Sequence, residues 1–353
     1  MTAGGAARES QTADRTLVGA GLHVRVGARR SELARTQAEW VAGQLAALGA
    51  TTEFVGVVTA GDTDRRHLTE IGGTGVFATA VRGGLLDGSV DVAVHSLKDL
   101  PVDPAPGLVV AAIPPREDPR DVLVGRRLDD LASGMRIGTG SPRRAVQLAR
   151  LFAERGLEIE IVPVRGNVGT RVDLARHGEV DAVVLAAAGL RRLGMLTGDA
   201  DRPTVAGLPA DPVAVSDLLP AAGQAALACE VAETADPRLM ALMAALDDLP
   251  TRLAVTAERR FLGRLEAGCL APVGVHATVT RGAGQGLDLT LRAVAGQMIG
   301  RTSSSDTATP LTLVEGGTPA PKDESREGAV DRAATLGEGL ADAMLLRLPA
   351  SPA

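Results

Sequence analysis

The sequence predicts an α/β protein of two similar lobes facing each other across a cleft, followed by a small α+β C-terminal domain. Three observations predict it. A strand, a glycine-containing loop and an amphipathic helix occur in that order twice, in LHVRVGARRSELARTQAEWVAGQLAALG from Leu22 and in MRIGTGSPRRAVQLARLFAERG from Met135. A second pair of segments, GSVDVAVHSLKDL from Gly88 and GEVDAVVLAAAGL from Gly178, shares Gly, Val, Asp, Val and Leu at matching offsets, and both copies read as buried parallel strands. Beyond about residue 249 the alternation of apolar strands and helices gives way to one helix and two alternating strands.

Composition bounds the classes. A chain of 353 residues with 45% hydrophobic content can bury two or three separate cores. The opening MTAGGAARESQTADRT is small and polar, so residues 1–20 are expected to be a disordered tail. No later run approaches the roughly 18–20 apolar residues of a membrane span, so a cytoplasmic protein with no membrane partner is expected. A formal charge of −6 argues against nonspecific nucleic-acid binding. Cys229 and Cys269 lie far apart and form no C-x-x-C pair, so neither a disulfide framework nor a metal site is expected. Of 37 basic residues all but Lys98 and Lys322 are arginines, a bias that reads as genome composition and makes a lysine inside a motif informative.

In the first lobe, expected over residues 21–114 with 225–245, a short strand runs into Arg29, Arg30 and Ser31, with Ser31 near the N-cap of the following helix. In the second lobe, expected over residues 115–222, the equivalent corner carries Thr139, Ser141, Arg143 and Arg144. There Ser141 is the N-cap, and Pro142 takes the first helical position, where a missing N–H costs nothing. The third domain, residues 249–353, holds the helix TRLAVTAERRFLGRLEAG, a loop with Cys269, and the strands VGVHATVT and LDLTLRAVAG. Residues 302–328, rich in Ser, Thr, Gly and Pro, read as a surface insertion before a closing helix near Asp331 to Leu348.

The two corners are anion sites, because guanidinium groups lie beside exposed helix N–H groups. VRGNVGTR adds Arg165 and Arg171, with Gly166 and Gly169 permitting close approach of a ligand and Asn167 as a cap. Taken singly, each arginine also reads as a solvated surface charge. Clustered on equivalent loops, they point to a substrate with many carboxylates. In VDVAVHSLKDLP a buried strand ends in His95, Ser96, Lys98 and Asp99. A carboxylate at such an end can stabilise a cation or move a proton, and equally can cap a turn or pair with Lys98. His95 reads first as a hydrogen-bonded structural histidine. Cys269, in LEAGCLAPVG, can be a nucleophile, an attachment point or an inert thiol, whereas Cys229, in AALACEV, reads as a buried one.

In order and spacing, VGARRSELARTQA, IGGTGVF, VDVAVHSLKDLP, EDPRD, GTGSPRR, RGNVGTR, LPAAGQ, TAERRFL and LEAGCLAPVG resemble the blocks of the porphobilinogen deaminase family, from about Val24 to Leu346. The resemblance implies two lobes like type II periplasmic binding proteins and a third domain carrying a cofactor cysteine. It implies that Cys269 forms a thioether to a dipyrromethane primer, that porphobilinogen is the substrate, and that Asp99 is the catalytic aspartate. Loss of ammonia from porphobilinogen leaves a positively charged pyrrole nitrogen, which an ionised carboxylate can stabilise. The resemblance also assigns Arg29, Ser31, Gln37, Lys98, Thr139, Ser141, Arg143, Arg144, Arg165, Gly166, Arg171, Ala187 and Gly189 to cofactor and substrate binding, and Phe77 to a lid. Four additions and a hydrolysis would give hydroxymethylbilane, which a monomeric enzyme would pass to uroporphyrinogen-III synthase.

The chain departs from the family pattern in four places. Glu70 and Thr74 stand where lysines are expected in the IGG-x-G-x-F loop. Gly223-Gln224-Ala225 replaces Gly-Gln-Gly, and Ala267-Gly268-Cys269 replaces Gly-Gly-Cys, small-for-small changes that are tolerated unless a positive φ is required. The rival readings are a two-lobed polycarboxylate-binding module, which has no need of Cys269, and an inactive paralogue, against which the joint retention of Lys98, Asp99 and Cys269 counts.

Overall fold

The computed structural model describes residues 18–58, 75–199, 201–265, 272–282, 286–296, 311–321 and 323–348, with the backbone alone for 75–77. Glu70, Thr74, Ala267, Gly268 and Cys269 lie outside the described residues, as does the side chain of Phe77. The chain divides into two compact units, one from residues up to Arg116 with Ala226–Thr251, the other from Glu117–Ala225 with residues from Arg252 onward.

In the first unit, β1 (His23–Arg29), β2 (Thr51–Val57), β3 (Val92–Ser96), β4 (Leu108–Ala112) and β12 (Leu227–Ala232) form a sheet in the order β2-β1-β3-β12-β4. β1 is parallel to β2 and β3, whereas β12 runs antiparallel to β3 and β4. Val24, Val26 and Ala28 of β1 pack with Val41 and Leu45 of α1 (Glu32–Ala47) and with Leu242 and Met243 of α6 (Pro237–Leu246). Val81 and Leu85 of α2 (Gly75–Leu86) instead pack with Ala93 and Leu108. Helices therefore cover both faces, which is why these strands are apolar throughout rather than alternating.

The second unit repeats the opening. β6 (Arg136–Gly138), α3 (Pro142–Glu154), β7 (Glu160–Val162), α4 (Val168–Arg176) and β8 (Ala182–Ala186) reproduce β1-α1-β2-α2-β3, again with the first strand between the other two. β5 (Asp121–Val124) runs antiparallel to β8, and β11 (Leu208–Pro212), β10 (Arg202–Val205) and β9 (Leu196–Asp199) extend the sheet as an antiparallel meander. Alternate residues of each strand serve two cores. Leu123 and Val184 pack with Phe152 of α3, while Val122 and Val183 pack with Val172 of α4 and with Leu190 of α5 (Ala187–Arg192).

Downstream, β13 (Val273–Arg281), β14 (Leu287–Ala295) and β15 (Thr312–Thr318) form an antiparallel sheet, accompanied by α7 (Leu249–Arg264) and α8 (Arg326–Leu345). This sheet, with α7 and α8, is the expected smaller C-terminal domain, and it packs into the same compact unit as Glu117–Ala225. Two tight contacts account for it. A Cβ on Gly274 would lie 2.7 Å from Gln147 Nε2 and 2.8 Å from Leu219 O, and the buried Glu258 carboxylate accepts the N–H groups of both Gly223 and Ala277.

Several expectations are corrected. Residues 302–328 are not one surface insertion: residues 302–310 and Lys322 lie outside the described residues, but Thr312–Thr318 is a full edge strand registered against β14. Its glycines served as loop signals in the sequence, yet Gly316 and Gly317 lie where Leu340 and the Leu289 carbonyl come close. The closing helix starts at Arg326, capped by Ser325, rather than near Asp331. The expected tail of residues 1–20 is too long, because Gly19 donates to Leu48 O at 2.8 Å and Arg238 donates to Ala20 O; residues 1–17 lie outside the described residues. β3 and β8 are buried but not purely parallel, since each has one antiparallel neighbour. Finally, Ala225 holds φ 73°, so the Gly-to-Ala departure at that position falls where the backbone is left-handed.

Candidate active site

In the first unit the segment after β3 forms a single 3-10 turn, Leu97–Asp99. In that geometry residues three apart share a side. Leu97 and Leu100 are both buried, so Lys98 and Asp99 are turned the other way, Lys98 half-buried and Asp99 exposed. The Leu97 N–H donates to Ala226 O at 3.0 Å, which docks the turn on the segment leading into β12. Ser96 receives a hydrogen bond from Gln37 Nε2 at 2.9 Å, so the buried Gln37 orients the strand end from α1. Arg29 closes β1, and Ser31 sits at the N-cap of α1 in extended conformation, but its hydroxyl makes no bond to the helix N–H groups. The expected first-lobe residues Arg29, Ser31, Gln37, Lys98 and Asp99 thus all lie at the ends of β1 and β3 or at the start of α1.

In the second unit Ser141 caps α3, its Oγ accepting from the Arg144 N–H at 3.4 Å, and Thr139 Oγ1 accepts from the Ser141 N–H at 3.2 Å. Arg143 and Arg144 do not project into solvent. Both are buried and converge on Asp121, itself wholly buried: Arg143 NH2 donates to Oδ2 at 2.8 Å and Arg144 NH2 to Oδ1 at 2.7 Å. Gln224 Nε2 adds a bond to Oδ1 at 2.8 Å. The other guanidinium ends reach backbone carbonyls, Arg143 to Leu219 and Arg144 to Val184. Burial opposes the charge on Asp121, but the two guanidinium groups outweigh it and hold the carboxyl well below its usual range.

Arg171, on α4, stands close enough to Arg144 to feel its charge. Burial first, and that like charge second, lower its pKa, and its Nε is buried without a hydrogen-bond partner. Arg165 is exposed on the preceding loop. Gly166 has φ +106° and an added Cβ would lie 2.8 Å from Thr170 Cγ2, so a side chain is excluded from this turn. Asn167 caps α4 by accepting from the Thr170 N–H at 2.8 Å. Gly189 is half-buried at the start of α5, whereas Ala187 is fully buried and its N–H is committed to Arg120 O. Ala187 therefore contributes shape rather than a hydrogen bond.

Sequence reasoning missed Asp121, Gln224, Arg192 and Glu230. Asp121 lies in the EDPRD block but reads only as the first residue of an apolar strand, and its partners follow more than twenty residues later. Arg192 donates to Ala225 O at 2.7 Å and burial lowers its pKa. Cys229 is wholly buried, as expected of an inert thiol.

Two guanidinium groups share one carboxylate, and a third, Arg171, lies near Arg144 in a partly desolvated place, so positive charge is in excess there, a setting that suits added carboxylates. Residues 24–240 match the family model described as porphobilinogen deaminase, dipyromethane cofactor binding domain, and residues 252–346 match the porphobilinogen deaminase C-terminal domain. The chain is 49% identical over 326 residues to porphobilinogen deaminase 1 of Streptomyces coelicolor, covering 91% of this chain and 94% of that protein. It is 49% identical over 259 residues to porphobilinogen deaminase of Thermobifida fusca, covering 72% and 76%. Among solved structures, the periplasmic aliphatic sulphonate binding protein SsuA of Escherichia coli matches with a TM-score of 0.33 and 14% identity, over 70% of this chain and 76% of that one.

Proposed function

The chain belongs to the porphobilinogen deaminase family, and from that premise we propose how its residues perform the reaction: four porphobilinogen units are joined head to tail with loss of ammonia, and water releases hydroxymethylbilane. It is a transferase that uses a dipyrromethane cofactor. Bound through Cys269, that group supplies the pyrrole α-carbon from which the chain grows.

The observation that carries this reading is the charge imbalance of the second unit. Asp121 is shared by Arg143 and Arg144, and Arg171 beside them keeps a buried Nε with no hydrogen-bond partner. Every pyrrole of cofactor and substrate bears an acetate and a propionate, which supply the missing negative charge. Arg165 and Arg171, with Ser141, bind these groups, and Arg144, its NH1 and NH2 held by Val184 O and Asp121, lends its charge from behind them. Arg143 acts one step back by fixing Asp121, while Thr139, Gly166, Ala187 and Gly189 shape the surrounding backbone. In the first unit Arg29, Ser31 and Lys98 bind carboxylates, and Gln37 orients Ser96. Phe77 is the lid aromatic.

Asp99 is the catalytic residue. As the C–N bond of porphobilinogen breaks and ammonia leaves, positive charge appears on the ring nitrogen, and the Asp99 carboxylate stabilises it while accepting the pyrrole N–H. The exposure of Asp99, enforced by buried Leu97 and Leu100, supports this role. The enzyme works as a monomer in the cytoplasm and hands its product to uroporphyrinogen-III synthase. No helix among the described residues is long and apolar enough to cross a membrane.

The reading is tested by Asp99→Asn. Turnover of porphobilinogen should fall by roughly 10²-fold or more, while the pyrrole mass on the chain is kept. Near-normal turnover would overturn the assignment of Asp99.

A further inference from the structure

The turn that carries Asp99 follows directly on β3, and β3 ends with two polar residues pointing to opposite faces of the sheet. Ser96 faces α1, where Gln37 holds it. His95 faces the other way, on the side of Ala93 and α2. On that side lies a charged group that the reaction as described does not use. Glu230 of β12 is paired in register with Ala93, its side chain only 3% exposed. It accepts two bonds from Arg82 of α2, from Nε at 2.9 Å and from NH2 at 2.8 Å. His95 Nε2 lies 3.3 Å from the Glu230 Oε2 atom. Arg82 and His95 are themselves 15% and 9% exposed, so the whole group sits inside the unit.

A buried ion pair adds little net stability compared with apolar residues of the same volume. What a two-point guanidinium–carboxylate pair does add is direction, since both N–H bonds must be satisfied at once. Here the carboxylate so fixed meets His95, four residues before Asp99 in the chain, as a buried charge contact at 3.3 Å without hydrogen-bond geometry.

We propose that Glu230 is a positioning residue for the reaction: held by Arg82, it fixes His95 and thereby the end of β3, so that the Leu97–Asp99 turn presents Asp99 at one place. Gln37 does the same for Ser96 from the opposite face, and the Leu97 N–H bond to Ala226 O supplies the third fixed point. The inference rests on the assignment of Asp99 as the catalytic carboxylate.

The test uses the purified cofactor-loaded enzyme and the variants Glu230→Gln and Asp99→Asn, with activity expressed per pyrrole-loaded molecule. A carboxylate displaced by a fraction of an ångström loses transition-state contact before it loses substrate. Glu230→Gln should therefore lower kcat roughly tenfold and change KM for porphobilinogen less than about twofold, because the arginines of the second unit are untouched. An unchanged kcat per loaded molecule, or kcat and KM worsening together, would overturn the proposal. If Glu230→Gln yields no soluble protein, Arg82→Gln, which keeps the Glu230–His95 contact, is read the same way with a smaller kcat loss expected. Near-normal turnover in Asp99→Asn would instead mark the failure of the Asp99 assignment, whatever Glu230→Gln does.

Discussion

Arg143 and Arg144 are neighbours in sequence, yet their guanidinium groups meet again on one buried carboxylate from a different strand. Asp121 is the residue on which that arrangement depends, since two cations and the amide of Gln224 all point at it. Asp121→Asn leaves two buried guanidinium groups without a counter-ion and should cost about 3–5 kcal/mol, read from the denaturant midpoint at constant slope; a loss below about 1 kcal/mol would contradict it. The corners themselves were legible in the sequence because strand, glycine turn and N-cap form a local pattern. Asp121 was not, because a fully buried acid at the start of an apolar strand is identified by partners far along the chain. Ala225 is a second case. Its replacement of glycine looks neutral by size, and only the backbone shows that φ is 73°. Ala225→Gly should therefore stabilise the protein by about 1 kcal/mol, visible as a raised unfolding midpoint.

Between elements, the buried Arg82–Glu230–His95 group joins α2, β12 and β3. Burial opposes the Glu230 charge, but His95 and Arg82 outweigh it and lower its pKa from 4.5 to about 2. A carboxylate lowered on folding contributes its stability fully above the ordinary value and loses it as pH falls toward the folded one. Unfolding free energy should thus decline between about pH 4.5 and 2, and the decline should be shallower in Glu230→Gln. Equal slopes in the two proteins would show that Glu230 is not the group titrating. The contact of α8 with α7 is of another kind: Gly337 lies against the Ala257 carbonyl and the Phe261 N–H, with no room for a Cβ. Gly337→Ala should cost roughly 1–3 kcal/mol by forcing the helices apart, measured by thermal or denaturant unfolding. Both helices were legible from apolar spacing. β15 was not, since TLVEGGT carries its glycines for close packing, and a single sequence does not separate that use from a turn.

For the molecule as a whole, the duplicated grammar of strand, corner and helix is legible in the residues themselves, and β1-α1-β2-α2-β3 and β6-α3-β7-α4-β8 realise it with the same strand order. The last domain is legible as a change of pattern near residue 249, but its tie to the second lobe is not. Hydrogen bonds from the Gly223 N–H and the Ala277 N–H to one Glu258 carboxylate tie it into the unit that carries the arginines, a link between residues too distant for local patterning to show. The central claim, that the chain builds hydroxymethylbilane on a covalently held dipyrromethane, is tested most directly by the intact mass of the purified protein beside a Cys269→Ser variant. A mass excess equal to two linked pyrroles in the native chain, absent from the variant, is the predicted result. A native chain that carries no added mass, and gains none on incubation with porphobilinogen or hydroxymethylbilane, would contradict it.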